Sequence, residues 1–252
     1  MVIDTATYIA FLLAMVRAGA WVAVVPPFNH RSIPVTVRAG IAAALALSIV
    51  PMLKTQLGSM TFDTPTLIGA IAVQALAGVG LGVIVRILLL AVTSAGSMID
   101  LFGGFTISAA YDPFLNAQSA VWGRFYELLT VVLLFAINGH ILLVHGFLAS
   151  FDALPLRAPA IGLLSKGMLD AVTAYFGAAL EIAAPLLVVL FLAQIILGLV
   201  SRAAPAMNVL SISFPFMILL TLLLAGIAIP LLPNAVSSLV HQGLRAMATI
   251  SH

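Results

Sequence analysis

The chain has 252 residues, 63% of them apolar and only 7% charged, with a formal net charge of +2 and no cysteine. That composition leaves no room for a separate soluble domain, for a phosphate-tracking nucleic-acid surface, or for a disulfide framework or thiolate metal site. A bilayer core about 30 Å thick is crossed by roughly 20 apolar residues in a helix, and the chain carries six long apolar stretches of that order.

The first stretch runs from Tyr8 to Val25 and stops at Pro26-Pro27, whose missing N–H groups and fixed φ end a helix. No basic segment precedes it and Arg17 interrupts it, so it reads as part of the mature chain rather than as a cleaved signal peptide. The second stretch, Val35 to Leu53, comes after a short, breaker-rich connection, which predicts a helical hairpin. The third, Pro65 to Val92, contains Gly78-Val-Gly-Leu-Gly82, small-residue spacing that lets helix backbones approach closely. The fourth covers Val121 to Phe151, the fifth Asp170 to Val200 and the sixth Val209 to Leu232, and an amphipathic tail closes the chain from Asn234 to His252. The fold class expected is all-α: a polytopic membrane protein of about six apolar helices arranged as hairpins.

The segment from Ser94 to Ala120 fits neither a span nor a soluble loop. Gly103-Gly104 and Asp112-Pro113 break a helix, while Phe102, Phe105, Ile107, Tyr111 and Phe114 are too apolar for water. Irregular backbone at membrane depth is tolerated only where protein buries it or where it lines a cavity. A re-entrant or pore-facing loop is one reading and an interfacial connector the other. The basic residues do not decide orientation: Lys54, Arg157, Lys166 and Arg245 fall on one side, and Arg31, Arg38, Arg86, Arg124 and Arg202 on the other.

Ionisable residues inside apolar stretches are costly and face a bundle interior, a cavity or a partner. Arg17, Arg86, Arg124, Glu127 and Glu181 are the candidates for buried polar groups. Arg124 and Glu127, three apart, share a helix face and suit an ion pair, with a proton relay as the sharper alternative. Pro185, four residues after Glu181, frees the carbonyl of residue 181 and favours a bend. His140 and His145 are five apart, off the spacing that aligns two imidazoles on one face, and no carboxylate completes a metal site. Neither a nucleophile elbow, a zinc-protease helix nor a phosphate-cradling glycine loop occurs, which points away from an enzyme and from any cofactor.

Four motifs carry a resemblance: Pro27-Phe-Asn-His-Arg-Ser-Ile-Pro34; Ala95-Gly-Ser-Met-Ile-Asp100 leading to Gly104-Phe105 and Asp112-Pro113; Asn138-Gly-His140; and Ser201-Arg-Ala-Ala-Pro-Ala-Met-Asn208. In order and punctuation they resemble, over nearly the whole chain, the flagellar FliR family and its counterparts in virulence-type injectisomes. In the last motif Pro205 suits the start of a second hairpin arm, Asn208 its cap, and Arg202 a donor to first-arm carbonyls or to a neighbour. The chain departs from the family pattern at Gln74, where a glutamate is usual, at Ala206, where a glutamine is usual, and at Phe102-Gly103, which replaces a more polar pair.

The resemblance implies a non-enzymatic, channel-forming subunit of the type III export gate in a bacterial inner membrane, at the flagellar basal body or injectisome base. Its partners would be FliP-like and FliQ-like subunits, an FlhB-like switch protein, membrane lipid and the unfolded substrates that leave the cytoplasm. Residues 1–151 would form a FliP-like part and 170–233 a FliQ-like hairpin. The loop within 94–120 would plug the closed pore, with Gly104, Phe105, Ser108, Asp112 and Pro113 matching the family's region, and Tyr111 and Phe114 adding apolar bulk. Apolar side chains across a narrow pore block ions by dewetting. The rival readings are a small-solute secondary transporter, which would need an internal repeat that the hydropathy does not show, and a scaffold of the export apparatus that forms no pore wall.

Overall fold

In the computed structural model, residues 5–30, 32–57, 63–105, 121–154, 161–204 and 209–249 are described. Among them every regular element is helical: α1 Thr5–Val22, α2 Val35–Leu57, α3 Thr64–Phe102, α4 Val121–Ala136, α5 Gly139–Ala153, α6 Ile161–Ala203, α7 Val209–Ala228, a 3-10 turn Ile229–Leu231, and α8 Leu232–Thr249. Among the described residues, five helical stretches are long and apolar enough to cross a membrane: α1, α2, α3, α6, and Ser211–Met247. Counting the bent pair α4 and α5 as one makes six. The chain is an all-α polytopic membrane protein.

The three largest differences from the sequence reading are at α3, at the fourth stretch and at α6. First, α3 does not end near Val92 but runs to Phe102, so 94–102 is helix and the connection begins only beyond Gly103-Gly104. No glycine pair or proline interrupts 92–102, and the polar side chains there find partners: Ser97 Oγ donates to the Thr93 carbonyl, and Asp100 accepts two backbone N–H groups. Second, the fourth stretch is broken. Asn138 takes a left-handed conformation (φ 55°) ahead of Gly139, and α4 and α5 meet at 77°. Asparagine tolerates that region better than other side chains because its short amide bonds locally. Third, α6 begins at Ile161 and is 43 residues long, and α3 has 39; at 1.5 Å per residue both are about twice the hydrocarbon thickness of a bilayer. Helix α6 continues through Pro185.

The chain divides into two compact units, one of Met1–Leu88, Asn138–Thr173 and Val240–His252, the other of Leu89–Ile137 and Ala174–Leu239. In the first, α1 packs on α2 as the expected hairpin, joined through a connection with a cis peptide at Pro26-Pro27. Helix α1 buries Ala10, Leu13, Ala14, Arg17, Ala18 and Trp21, a three-four periodicity that marks one face. The Gly78 and Gly82 face of α3 takes α1 at backbone distance: a Cβ at Gly78 would lie 2.3 Å from the Arg17 carbonyl oxygen, and one at Gly82 3.4 Å from the Trp21 carbonyl oxygen. In the second unit, Ser94 on α3 and Tyr175 on α6 share a hydrogen bond of 2.7 Å between hydroxyls.

Large apolar side chains stand exposed along α6 and α7, among them Val188, Ile196, Leu199, Leu219, Leu223 and Ile227. Such helices need an apolar medium, lipid or protein, on their outer faces. Helix α8 is amphipathic, as expected of the tail, burying Leu232, Val236, Leu239, Val240 and Met247 and exposing Asn234, His241 and Arg245.

Candidate functional site

The second unit is organised around the C-terminal end of α3. A helix end leaves carbonyls without intrahelical donors, and two local devices serve them here. Gly103 N–H returns to the Ile99 carbonyl at 2.7 Å, and the Gln194 side-chain amide, reaching from α6, donates to the Phe102 carbonyl at 2.8 Å. Gly104 then takes φ +82°, the left-handed conformation that stops a helix and that L side chains avoid. Phe102 meets Phe191 of α6 edge-on at 6.4 Å, and Phe105 meets Trp122 of α4 edge-on at 6.3 Å between centroids.

The start of α4 is fastened to the same point. Asp100 is fully buried, and its two carboxylate oxygens accept the backbone N–H groups of Trp122 and Gly123, each at 2.9 Å. These are first-turn donors of α4 with no intrahelical acceptor, and the carboxylate also opposes the positive end of the helix dipole. One turn earlier, a Cβ on Gly96 would lie 2.5 Å from the Trp122 carbonyl oxygen, so α3 and α4 cross backbone on backbone. Helix α7 closes the cluster: a Cβ on Gly103 would lie 2.7 Å from Thr221 Oγ1, and one on Gly104 3.7 Å from Met217 Cβ. Four helices, α3, α4, α6 and α7, thus converge where the 106–120 connection leaves and returns.

A second polar cluster lies in the first unit. Buried Arg17 donates from Nε to Gln74 Oε1 at 2.6 Å, and from its two terminal nitrogens to the carbonyls of Ser150 at 2.9 Å and Leu154 at 3.3 Å. Its guanidinium carbon sits 4.2 Å from the centroid of the Phe151 ring. The carbonyls belong to the end of α5, where a cation is favoured by the helix dipole. Gln74, the departure from the family pattern, is the side-chain acceptor of this cation. Trp21 stacks on Phe147 at 4.6 Å beside it.

The other residues singled out in the sequence lie elsewhere. Arg86, Arg124, Glu127 and Glu181 are exposed on the surface of the chain rather than buried within it, since each points outward from its helix. Arg124 and Glu127 form the expected pair at 2.6 Å, with side chains 59% and 47% exposed. Arg202 is exposed in the last turn of α6. Ser108, Tyr111, Asp112, Pro113, Phe114, Pro205 and Asn208 lie outside the described residues. Among the described residues there is no group of three or more His, Asp or Glu that could hold a metal.

Sequence reasoning gives no role to Asp100, Gln74, Gln194 or Trp122. For Asp100 a signal is present, a carboxylate in an apolar helical run, but the glycine pair close behind it makes that run look like loop.

The family described as "Bacterial export proteins, family 1" matches residues 8–243. This chain belongs to that family. It is 32% identical to the flagellar biosynthetic protein FliR of Bacillus subtilis over 213 residues, 83% of this chain and 82% of that one. With the FliR of Escherichia coli it shares 26% over 223 residues, 86% and 83% of the two chains. With the Yop proteins translocation protein T of Yersinia pestis it shares 27% over 214 residues, 82% and 80%. Membership makes this multi-pass chain a component of protein-export machinery of the flagellar or secretion type, and not an enzyme.

Proposed function

We propose that the chain is a channel-forming subunit of the type III export gate in the bacterial inner membrane, with the 106–120 connection as the plug of the closed pore. One observation carries the plug reading: both ends of that connection are anchored at a single junction of four helices, by Asp100, Gly103-Gly104 and Gln194. A connection fixed at its root and rich in apolar residues suits a barrier that blocks ions by dewetting and is displaced by a passing chain. FliP-like and FliQ-like subunits would cover the exposed apolar faces of α6 and α7, an FlhB-like protein would dock on the assembly, and unfolded substrates would pass through it. Residues 1–151 would take a FliP-like place and 170–233 a FliQ-like one. Helices about twice as long as the bilayer core is thick support an assembly that reaches out of the membrane plane.

The test is native mass spectrometry of the tagged chain after co-expression with its genomic neighbours, together with deletion of residues 106–118. A single copy in a large complex, and ion leak on deletion, are expected. A monomer or homodimer refutes the export-gate reading in favour of a small-solute transporter. A complex that falls apart on deletion without leak favours a scaffold.

A further inference from the structure

We propose that Asp100 is a positioning residue, a tether that binds the end of α3 to the first turn of α4, so that the two helix ends flanking residues 106–120 move as one body. This rests on the plug reading for its functional consequence, although the tether itself is a matter of geometry.

A side chain that merely caps a helix normally comes from the residue preceding it, as Ser, Thr, Asp and Asn do at the N-cap. Asp100 comes instead from 22 and 23 residues upstream of the groups that it holds. It uses both oxygens, one on Trp122 N–H and one on Gly123 N–H. Two charge-assisted bonds in a fully buried setting are strong and directional. They sit beside a close backbone approach between the two helices, at Gly96, and beside the edge-on contact of Phe105 with Trp122. Gly96 allows the approach and Asp100 holds it. Without the carboxylate, the Trp122 and Gly123 N–H groups lose their acceptors and the crossing loses these two polar links, so the first turn of α4 is freed from the end of α3.

The chain contains no cysteine, which allows a direct measurement. Spin labels at Leu101→Cys and Phe125→Cys, both exposed positions on the two helices, report the separation of α3 and α4 by pulsed electron resonance, in the full complex extracted in mild detergent. The parent should give one narrow distance distribution. Asp100→Ala should broaden it, and Asp100→Asn, which keeps one acceptor oxygen, should broaden it less; the milder variant serves if Asp100→Ala does not assemble. Adding Ala120→Asp to Asp100→Ala offers α4 a cap from the residue before its first turn, but no link to α3. The distribution should therefore stay broad, and ion leak through the assembled complex should rise by about tenfold, the shift expected when a bond to a charged group is lost.

An unchanged distribution in Asp100→Ala and Asp100→Asn, or full restoration by Ala120→Asp, overturns the tether. If deletion of 106–118 leaks while those distances stay unchanged, the plug reading stands and the tether fails. If the distances broaden but neither Asp100→Ala nor the deletion leaks, the tether stands and the plug reading fails.

Discussion

Arg17→Ala removes the centre of the polar cluster in the first unit, and its cost can be worked from the distances. The bonds to Gln74 Oε1 and to the Ser150 carbonyl, 2.6 and 2.9 Å, are of charge-assisted length, and the bond to Leu154 at 3.3 Å is weaker. Each bond to a charged group contributes about 1.5–3 kcal/mol. Against this, the guanidinium bears a desolvation penalty that its removal returns. The Ser150 carbonyl keeps the Leu154 N–H at 3.0 Å after the change, whereas the Leu154 carbonyl and the Gln74 amide oxygen lose the Arg17 donor. The space of a fully buried long side chain is also emptied. The net cost is about 3–5 kcal/mol, or about 10 °C in Tm for a chain of this size. Gln74→Ala should cost about 1–3 kcal/mol, and the pair should couple by about 1–2 kcal/mol in a double-mutant cycle. Gln74→Glu keeps the geometry and makes the contact an ion pair, so its Tm should exceed that of Gln74→Ala. The assay is thermal unfolding of the purified chain in detergent, followed by size exclusion. Strict additivity of Arg17→Ala and Gln74→Ala refutes the reasoning, because it would mean that the contact carries no energy of its own.

Gly78→Ala places a Cβ 2.3 Å from the Arg17 carbonyl oxygen, a backbone atom that cannot turn aside, and should lower stability by about 1–3 kcal/mol. Its control in the same helix, Gly69→Ala, meets nothing within 4 Å and should be neutral or raise stability by up to about 1 kcal/mol; only Gly78→Ala should lower Tm. Gly104→Ala forces an L residue to φ +82° and should cost about 1–2 kcal/mol in the same assay. Gln194→Leu leaves the Phe102 carbonyl without its donor from α6, and should lower stability by about 1 kcal/mol.

Much of the architecture was legible because apolar length and breakers are local signals. Pro26-Pro27 ended the first run, and Gly78-Val-Gly-Leu-Gly82 foretold a close helix contact whose partner, α1, is the tertiary fact that the sequence could not name. The break at Asn138 was visible as a motif, but not as a bend, because an Asn-Gly pair inside a strongly apolar run is also compatible with a continuous span. Asp100 shows the opposite failure. Apolar side chains around Gly103-Gly104 drew the whole of 94–120 into one irregular segment, although nothing before Gly103 stops a helix. Burial of single charges was the least legible feature: Arg17 and Glu181 both sit in apolar runs, yet Arg17 faces α3 and α5 while Glu181 faces outward. Direction around a helix axis depends on neighbours that have no place in a single run.

Among the described residues, the buried ionisable side chains Asp100 and Arg17 share a logic that arises from the bent pair. A span bent by 77° consists of two short helices, α4 and α5, and each has an outer terminus whose backbone groups find no partner within it. In an apolar setting such groups are expensive to leave unmet. The N-terminus of α4 exposes N–H donors and the positive end of its dipole, and a carboxylate, Asp100, meets it. The C-terminus of α5 exposes carbonyls and the negative end, and a guanidinium, Arg17, meets it. Each charge has the sign that the dipole favours, and each is delivered by another helix of its own unit, so the same bonds that satisfy a terminus also fix where it lies. Interchanging the charges, Asp100→Arg or Arg17→Glu, should therefore be worse than removing them, since each would place a like charge against a helix end. If Arg17→Glu proves no less stable than Arg17→Ala, the dipole has no part in choosing these residues, and simple hydrogen-bond satisfaction is enough.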